Sequence, residues 1–324
     1  MSKYIGRQVD LGISRETTRG TYVAPTFYVP KVDFSFDDKA LKARSQASLG
    51  TLEDSEEAFV IEKWGEGNMG GEVRLDSFPL FLYSLFGTVA TTGPTDSSYS
   101  HAFSLENSVQ HDSLSFTVED PNTTERYSLV MLNSLELKQN VEGLLMYDAS
   151  FMGRTAKGSS MTANYDDEVK FTKRHCTVKV AANLAALSAA SSLSMKDVTL
   201  TFNQNVVRDS VITTAEPEDF LNRSFSIEGK FVLNYEDETW KEYMRNNTAR
   251  AMEISWTNTD EVIGASTRPS MTFQFPNVDF FDWEPDNALD DIVTQTVSFK
   301  ANRDVANDQA MVTTATVVND TVSY

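Results

Sequence analysis

Residues Ala58–Gly87 read AFVIEKWGEGNMGGEVRLDSFPLFLYSLFG, and their pattern decides the fold class. Large apolar and polar residues alternate from Ala58 to Trp64 and again from Gly71 to Leu75, the period of half-buried strands. The glycines between them suit a tight reversal. Asp76 or Ser77 then offers a helix cap, and Pro79 falls in a first turn, where a missing N–H costs nothing. Phe78, Phe81, Leu82 and Leu85 share one face before Gly87. A strand pair that delivers a short helix is the expected unit.

The same order recurs later in the chain. Gly229–Leu233 (GKFVL) answers Gly71–Leu75 (GEVRL), Asp237 and Glu238 suit the positive end of a helix, and Trp240, Tyr243 and Met244 give it an apolar face. Val32–Phe36 matches Val198–Phe202, Leu114–Thr117 matches Ile254–Thr257, and Asn133–Leu137 matches Asn277–Phe281. Ser150 and Phe151 match Ser298 and Phe299. In chain order the offsets are 166, 158, 140, 144 and 148, so elements persist while loops change length. A tandem duplication accounts for this, with about 18 extra residues in the first copy between Gly87 and Ser113. The expected division is residues 1–160 and 161–324, with the boundary near Gly158–Asp167.

Composition sets the frame. A chain of 324 residues with 40% hydrophobic content suffices for two cores of a soluble, globular, mainly β protein. The longest apolar run, near Phe78–Ala90, is too short for a membrane span of roughly 20 residues. Met1–Gly12 lacks the apolar core of a signal peptide, which points to cytoplasmic synthesis. The single cysteine, Cys176, leaves no internal disulfide framework. A net charge of −19 with no basic stripe argues against general nucleic-acid binding, which depends on Lys and Arg displacing counterions.

Residues 1–27 read as an extended arm before a first strand at Val29–Phe36, and Asp304–Tyr324 as a C-terminal arm poor in large apolar groups. Between them Asp37–Glu57 is polar, basic in its first part and acidic in its last, and too long for a simple hairpin turn. Ala182–Ser194 is rich in small residues and fits a close-packed helix or a linker.

Signatures of enzymes are weak. Gly65, Gly67 and Gly70 spell GxGxxG, but strand alternation follows where a dinucleotide loop must open into a helix. His101, His111 and His175 have no metal-ligand spacing, and Glu53–Glu57 lacks the order of a calcium loop. No cofactor, metal or catalytic set is expected. A surface adhesin or carbohydrate-binding β protein is the alternative class, against which the missing signal peptide counts.

The opening IGRQVDLGISRETTRGTYVAPTFYVP, the polar stretch after it, the segment GGEVRLDSFPLFLYSLFG and the closing MTFQFPNVDFFDWEPDNALDDIVTQTVSFKANRD resemble tail tube proteins of long-tailed bacteriophages. The likeness is greatest to flexible-tailed siphophages and covers nearly the whole chain. It implies β-sandwich or barrel domains, each with a flanking helix, that form rings whose inner sheets close a channel for the genome. The duplication places the chain with members that carry two such domains and form trimeric rings. Implied partners are further copies of itself and the tape measure, tail terminator and distal tail proteins, with DNA passing unbound. The implied location is the virion tail, with no membrane contact.

Two sets of residues follow as expectations. Strand residues opposite the apolar ones, Glu62, Glu72, Glu136 and Asp279, are candidates for a negative lumen, since Val73, Leu75, Leu135 and Leu137 must face a core. The stretch from Asp37 is a candidate contact to the adjacent ring, ordered on stacking: Lys39, Lys42 and Arg44 meet a neighbour, and Glu53, Asp54, Glu56 and Glu57 stay near their own ring.

Overall fold

A computed structural model describes residues 3–290 and 292–324. The first half of the chain carries β1 (Asp10–Arg15), β2 (Phe27–Tyr28), β3 (Asp33–Phe34), β4 (Asp37–Arg44) and β5 (Ala58–Glu72). Helix α1 (Pro79–Phe86) follows, then β6 (Gly87–Thr95), β7 (Ser98–Leu105), β8 (Leu114–Glu119), β9 (Thr124–Asn140), β10 (Met146–Gly153) and β11 (Lys157–Gly158). The second half carries β12 (Cys176–Ala181), β13 (Met195–Asn203), β14 (Val207–Asp209), β15 (Asp219–Leu221) and β16 (Ser226–Asn234). Helix α2 (Thr239–Arg245) precedes β17 (Arg250–Thr257), β18 (Ser270–Asp286), β19 (Thr294–Asn302) and β20 (Thr314–Asn319). The fold is mainly β, as the alternation indicates.

The stretch from Ala58 departs from the expected strand pair. It is one strand of 15 residues, β5, and its glycines make no turn. They admit close neighbours instead: a Cβ on Gly67 would overlap the Ser35 carbonyl and the Phe36 backbone, and one on Gly71 would press on the Tyr147 ring. Helix α1 then starts at Pro79 after Phe78, and Gly87, at φ 87°, ends it in the left-handed region. Asp76 and Ser77 do not cap it by side chain. Their N–H groups donate to Glu168 Oε2 at 2.9 and 2.7 Å, so a carboxylate from a remote loop satisfies the helix entry. All eight α1 residues are buried, because the β6–β7 hairpin covers the face that amphipathicity would leave wet.

The two halves share strand order and register. β3–β5–β10–β9–β8–β1 in the first half corresponds to β13–β16–β19–β18–β17–β12 in the second. Each of the seven β9–β10 pairs recurs 148 residues later in β18–β19, with the extra residue Asn133 answered by Phe281. Each of the eight β5–β10 pairs recurs in β16–β19 at offsets of 162 and 148. β3 and the start of β4 together answer β13 at 164, and β8 answers β17 at 136. The sequence matches therefore stand two or four residues out of register, except Ser150–Phe151 with Ser298–Phe299. The true partner of Gly229 is Gly67, and both lie beneath a neighbouring strand, against the Ser35 and Thr199 carbonyls. The drop from 162 to 136 is larger than 18, and the β6–β7 hairpin fills most of it.

One junction joins the halves: β9 pairs antiparallel with β13 from Ser134–Asn203 to Asn140–Asp197. The result is a continuous sheet of eight strand positions, β3/β4, β5, β10, β9, β13, β16, β19 and β18. A second layer packs on its inner face. Phe116 of β8 sits 5.0 Å from Phe151 of β10 and 5.6 Å from Phe36, ring centre to ring centre. Phe86 of α1 reaches Phe202 of β13 at 5.9 Å, so apolar packing runs without a break from one half to the other. In the second half Trp240 of α2 packs on Phe231 and Phe280.

Both ends of the chain are extended, yet docked. β1 pairs along its length with β8, and Leu11 and Ile13 are fully buried. Of the expected strand at Val29–Phe36 only β3 forms, and β2 precedes it, with Val29, Pro30, Lys31 and Val32 between the two. β20 lies between β18 and β7 with Ala315 and Val317 in the core, and the Tyr324 ring stacks on Phe27 at 5.7 Å. Residues 182–194 contain a 3-10 turn, Leu184–Ala189, capped by Asn183. Burial pushes the Cys176 thiol up to about 12, which leaves it a packing residue.

The docked C-terminus closes over a carboxylate. Burial, then the charges of Glu168 and Asp320, raise Asp76 from 3.8 to about 7, and Thr321 Oγ1 donates to it at 3.4 Å. The folded state thus holds this proton more tightly than the unfolded chain, and stability falls as pH rises through 3.8 toward about 7. Asp76→Asn is expected to leave urea midpoints unchanged near pH 4 and to raise stability at pH 8 by on the order of 1 to 3 kcal/mol.

Candidate channel face and subunit edges

The outer face of the eight-position sheet is polar by alternation. Its register aligns Ser35, Asn68, Ser150, Ser134, Asn203, Ser226, Asn302 and Asn277 in one row with no charge. Carboxylates flank this row on one side: Asp148, Glu136, Glu228 and Asp279 in the first same-face row beyond it, Glu72 and Asp282 in the second. The three lysines of these flanks lie beside acids. Lys138 bonds Glu136 and, at 3.0 Å, Asp148, while Lys300 lies 2.7 Å from Glu228. Those two carboxylates raise the Lys138 pKa. Burial raises the Asp197 carboxyl above its usual range, and the charge of nearby Lys230 offsets only part of that rise. Acids outnumber lysines on the face, so its field stays negative.

Of the four residues chosen for a negative lumen, Glu72, Glu136 and Asp279 lie on this face. Glu72 is held by Arg74 at 2.7 Å, and Glu136 accepts from Thr201 Oγ1 at 3.2 Å across the β9–β13 junction. Glu62 has the same alternation but is covered, with Ser210 and Arg208 against it. Asp148, Glu228 and Asp282 escaped the sequence reading: the period-2 rule picks out Asp148 in β10 and Glu228 in β16, whereas the bulge at Phe281 puts Asp282 out of step with Asp279.

Residues 37–44 form strand β4 rather than loop, pairing with β5 from Asp37–Glu66 to Arg44–Ala58. The hairpin's far end is exposed on both faces, including Leu41, Phe59, Val60 and Ile61. Lys39 faces one side, Lys42 and Arg44 the other, so the three cations are not one patch. Glu53, Asp54, Glu56 and Glu57 all lie exposed in the connection.

The counterpart connection in the second half, residues 204–225, crosses onto the first half. Lys63 N–H donates to the Ala215 carbonyl at 2.7 Å, and the Arg208 guanidinium stacks 3.6 Å from the centre of the Trp64 ring. Arg19 donates to Asp219 at 2.8 Å from one nitrogen and 3.0 Å from another. Burial acts to raise the Asp219 carboxyl, and hydrogen bonds from Arg19, Gln110 and the Phe220 N–H outweigh it and hold it below the usual range. Phe220 is fully buried among Leu129, Met131 and Val206. No period marks this segment in sequence, because its anchors are single residues whose partners lie far along the chain. Phe220→Ala is expected to cost about 3 to 5 kcal/mol. Faster hydrogen exchange confined to residues 204–225 would show local release, and unchanged exchange there would show that Phe220 is no anchor.

Among the described residues no group of three or more His, Cys, Asp and Glu side chains is placed to hold a metal, and no helix is long and apolar enough to cross a membrane. No curated protein matches the chain. A family model for phage tail tube proteins matches residues 6–301, which takes in the eight-position sheet but for Asn302, both helices and the hairpin. The chain belongs to the phage tail tube protein family, and its role is that of a structural component of the virion tail.

Proposed function

We propose that three copies of this chain close into a ring, each supplying two tube domains that arose by duplication. In this reading the domains span residues 1–160 and 161–324, and the acidic face of the eight-position sheet lines a channel for DNA. The observation that carries it is the shared register of the two halves, joined through β9 and β13. A sheet already built of two equivalent units, with an open edge at each end, removes those edges by continuing around an axis. A lumen poor in unpaired Lys and Arg repels phosphates and lets DNA slide without lasting contacts. Rings then stack head to tail, with the tape measure protein inside and the terminator and distal tail proteins at the ends.

Native mass spectrometry and ring symmetry in class averages test the stoichiometry. Three chains per ring are expected; six would refute the two-domain count while leaving the tube role.

The far end of the β4–β5 hairpin is the proposed contact between rings. It projects beyond the sheet with apolar groups exposed, and Lys42 and Arg44 on one side give it charge to meet carboxylates of the neighbouring ring. Each exposed pair contributes only about 0.2 to 1 kcal/mol, so the effect depends on repetition around the ring. Lys42→Glu with Arg44→Glu is expected to leave a folded chain that forms rings but not long tubes in negative stain. Tubes of normal length would return the hairpin to a solvated projection.

A further inference from the structure

We infer that the joint between neighbouring chains in the ring is an electrostatic brake on assembly, holding free chains apart by facing carboxylates. This rests on the ring reading above and adds the register of its joint. Inside one chain the joint is β9 on β13, where Ser134 faces Asn203, Glu136 faces Thr201 and Lys138 faces Thr199. The same pairs carry over to two chains, because β18 repeats β9 at +148, and residues 33–39 repeat β13 at −164. Residues 282–286 have β19 on one side, and residues 33–39 have β5 on one side. The other side of each segment has no strand among the described residues, so both are open edges.

Transferring the internal register sets Asp37 opposite Glu284, Lys39 opposite Asp282 and Ser35 opposite Asp286. The internal joint holds Glu136 and Asp197 with Lys138 between them. The joint between chains holds Asp33, Asp37, Asp38, Asp282, Glu284 and Asp286 against Lys39, and all of these are exposed in the single chain. Like charges directly opposite on neighbouring strands oppose pairing. Between separate chains that repulsion acts before the backbone ladder forms, over about 10 Å at 0.1 M salt. Polar joints of this kind govern the rate of encounter more than the strength of the closed contact. Free chains therefore stay apart until salt or an already formed ring offsets the charge, and the closed joint is then held by its ladder.

Light scattering and negative-stain microscopy of the full chain at 50 mM and 500 mM NaCl test the brake. Wild-type assembly is expected to accelerate about tenfold or more at the higher salt. The double variant Asp37→Asn, Glu284→Gln is expected to assemble at 50 mM about as fast as wild type does at 500 mM. Slower wild-type assembly with salt, or no gain in the double variant, overturns the proposal. The register has its own check in Asp37→Cys, Glu284→Cys, which on oxidation should link chains to one another within assembled rings. Rings or tubes without that link overturn the joint while sparing the tube role, and the absence of both from wild type at every salt concentration overturns the ring reading itself.

Discussion

The pairing of β9 with β13 is the constraint on which the rest of the molecule depends. It converts two similar sheets into one, and it does so through seven consecutive residue pairs from Ser134–Asn203 to Asn140–Asp197. Register in a sheet with one buried face is strict, since a slip of one residue would turn Leu135, Leu137, Leu200 and Phe202 outward. The junction therefore fixes which carboxylates share a face across the whole chain. It also makes Phe86 of the first helix a neighbour of Phe202 in the second half, so the two cores are coupled rather than adjacent.

Around this junction the close approach of strands is set by small residues and filled by rings. Gly67 and Gly229 lie at equivalent places beneath a neighbouring strand, where a single methyl would overlap backbone. Phe151 and Phe299, the residues paired with them, supply the bulk that the glycines omit. The bulges at Asn133 and Phe281 let β9 and β18, 17 residues each, leave the polar-faced sheet and enter the second layer. Long strands shared by both layers tie the sandwich together without a disulfide, and Cys176 is the only cysteine in the chain.

Charge is arranged by a different logic from packing. On the outer face the lysines lie beside carboxylates that outnumber them, which keeps the field negative while removing free cations. At the join between halves the connection 204–225 uses the opposite device. There Arg19 and Asp219 form a forked, mostly buried pair, with Phe220 as the apolar anchor beside it. Such a pair is costly to desolvate and is retained because its hydrogen bonds are satisfied. The far end of the first half's own connection, the β4–β5 hairpin, has no such anchor among the described residues and carries exposed Phe59, Val60 and Ile61 instead.

Alternation alone determined that this chain is mainly β, which strand faces are apolar, and that Glu72, Glu136 and Asp279 point away from the core. It also revealed two similar halves, because strands must repeat their pattern to repeat their packing. It left the alignment of those halves two or four residues out. An even shift preserves every inward and outward assignment, and only the pairing partners, which lie far along the chain, distinguish one even register from another. The glycines from Gly65 to Gly71 read as a turn because missing side chains serve both turns and close approaches, and only the strands stacked above β5 show which applies. The burial of β1, β20 and every side of α1, and the covering of Glu62, were likewise decided by tertiary contact. In each case the local sequence specifies a surface, and what covers that surface is set by a segment whose position depends on the whole fold.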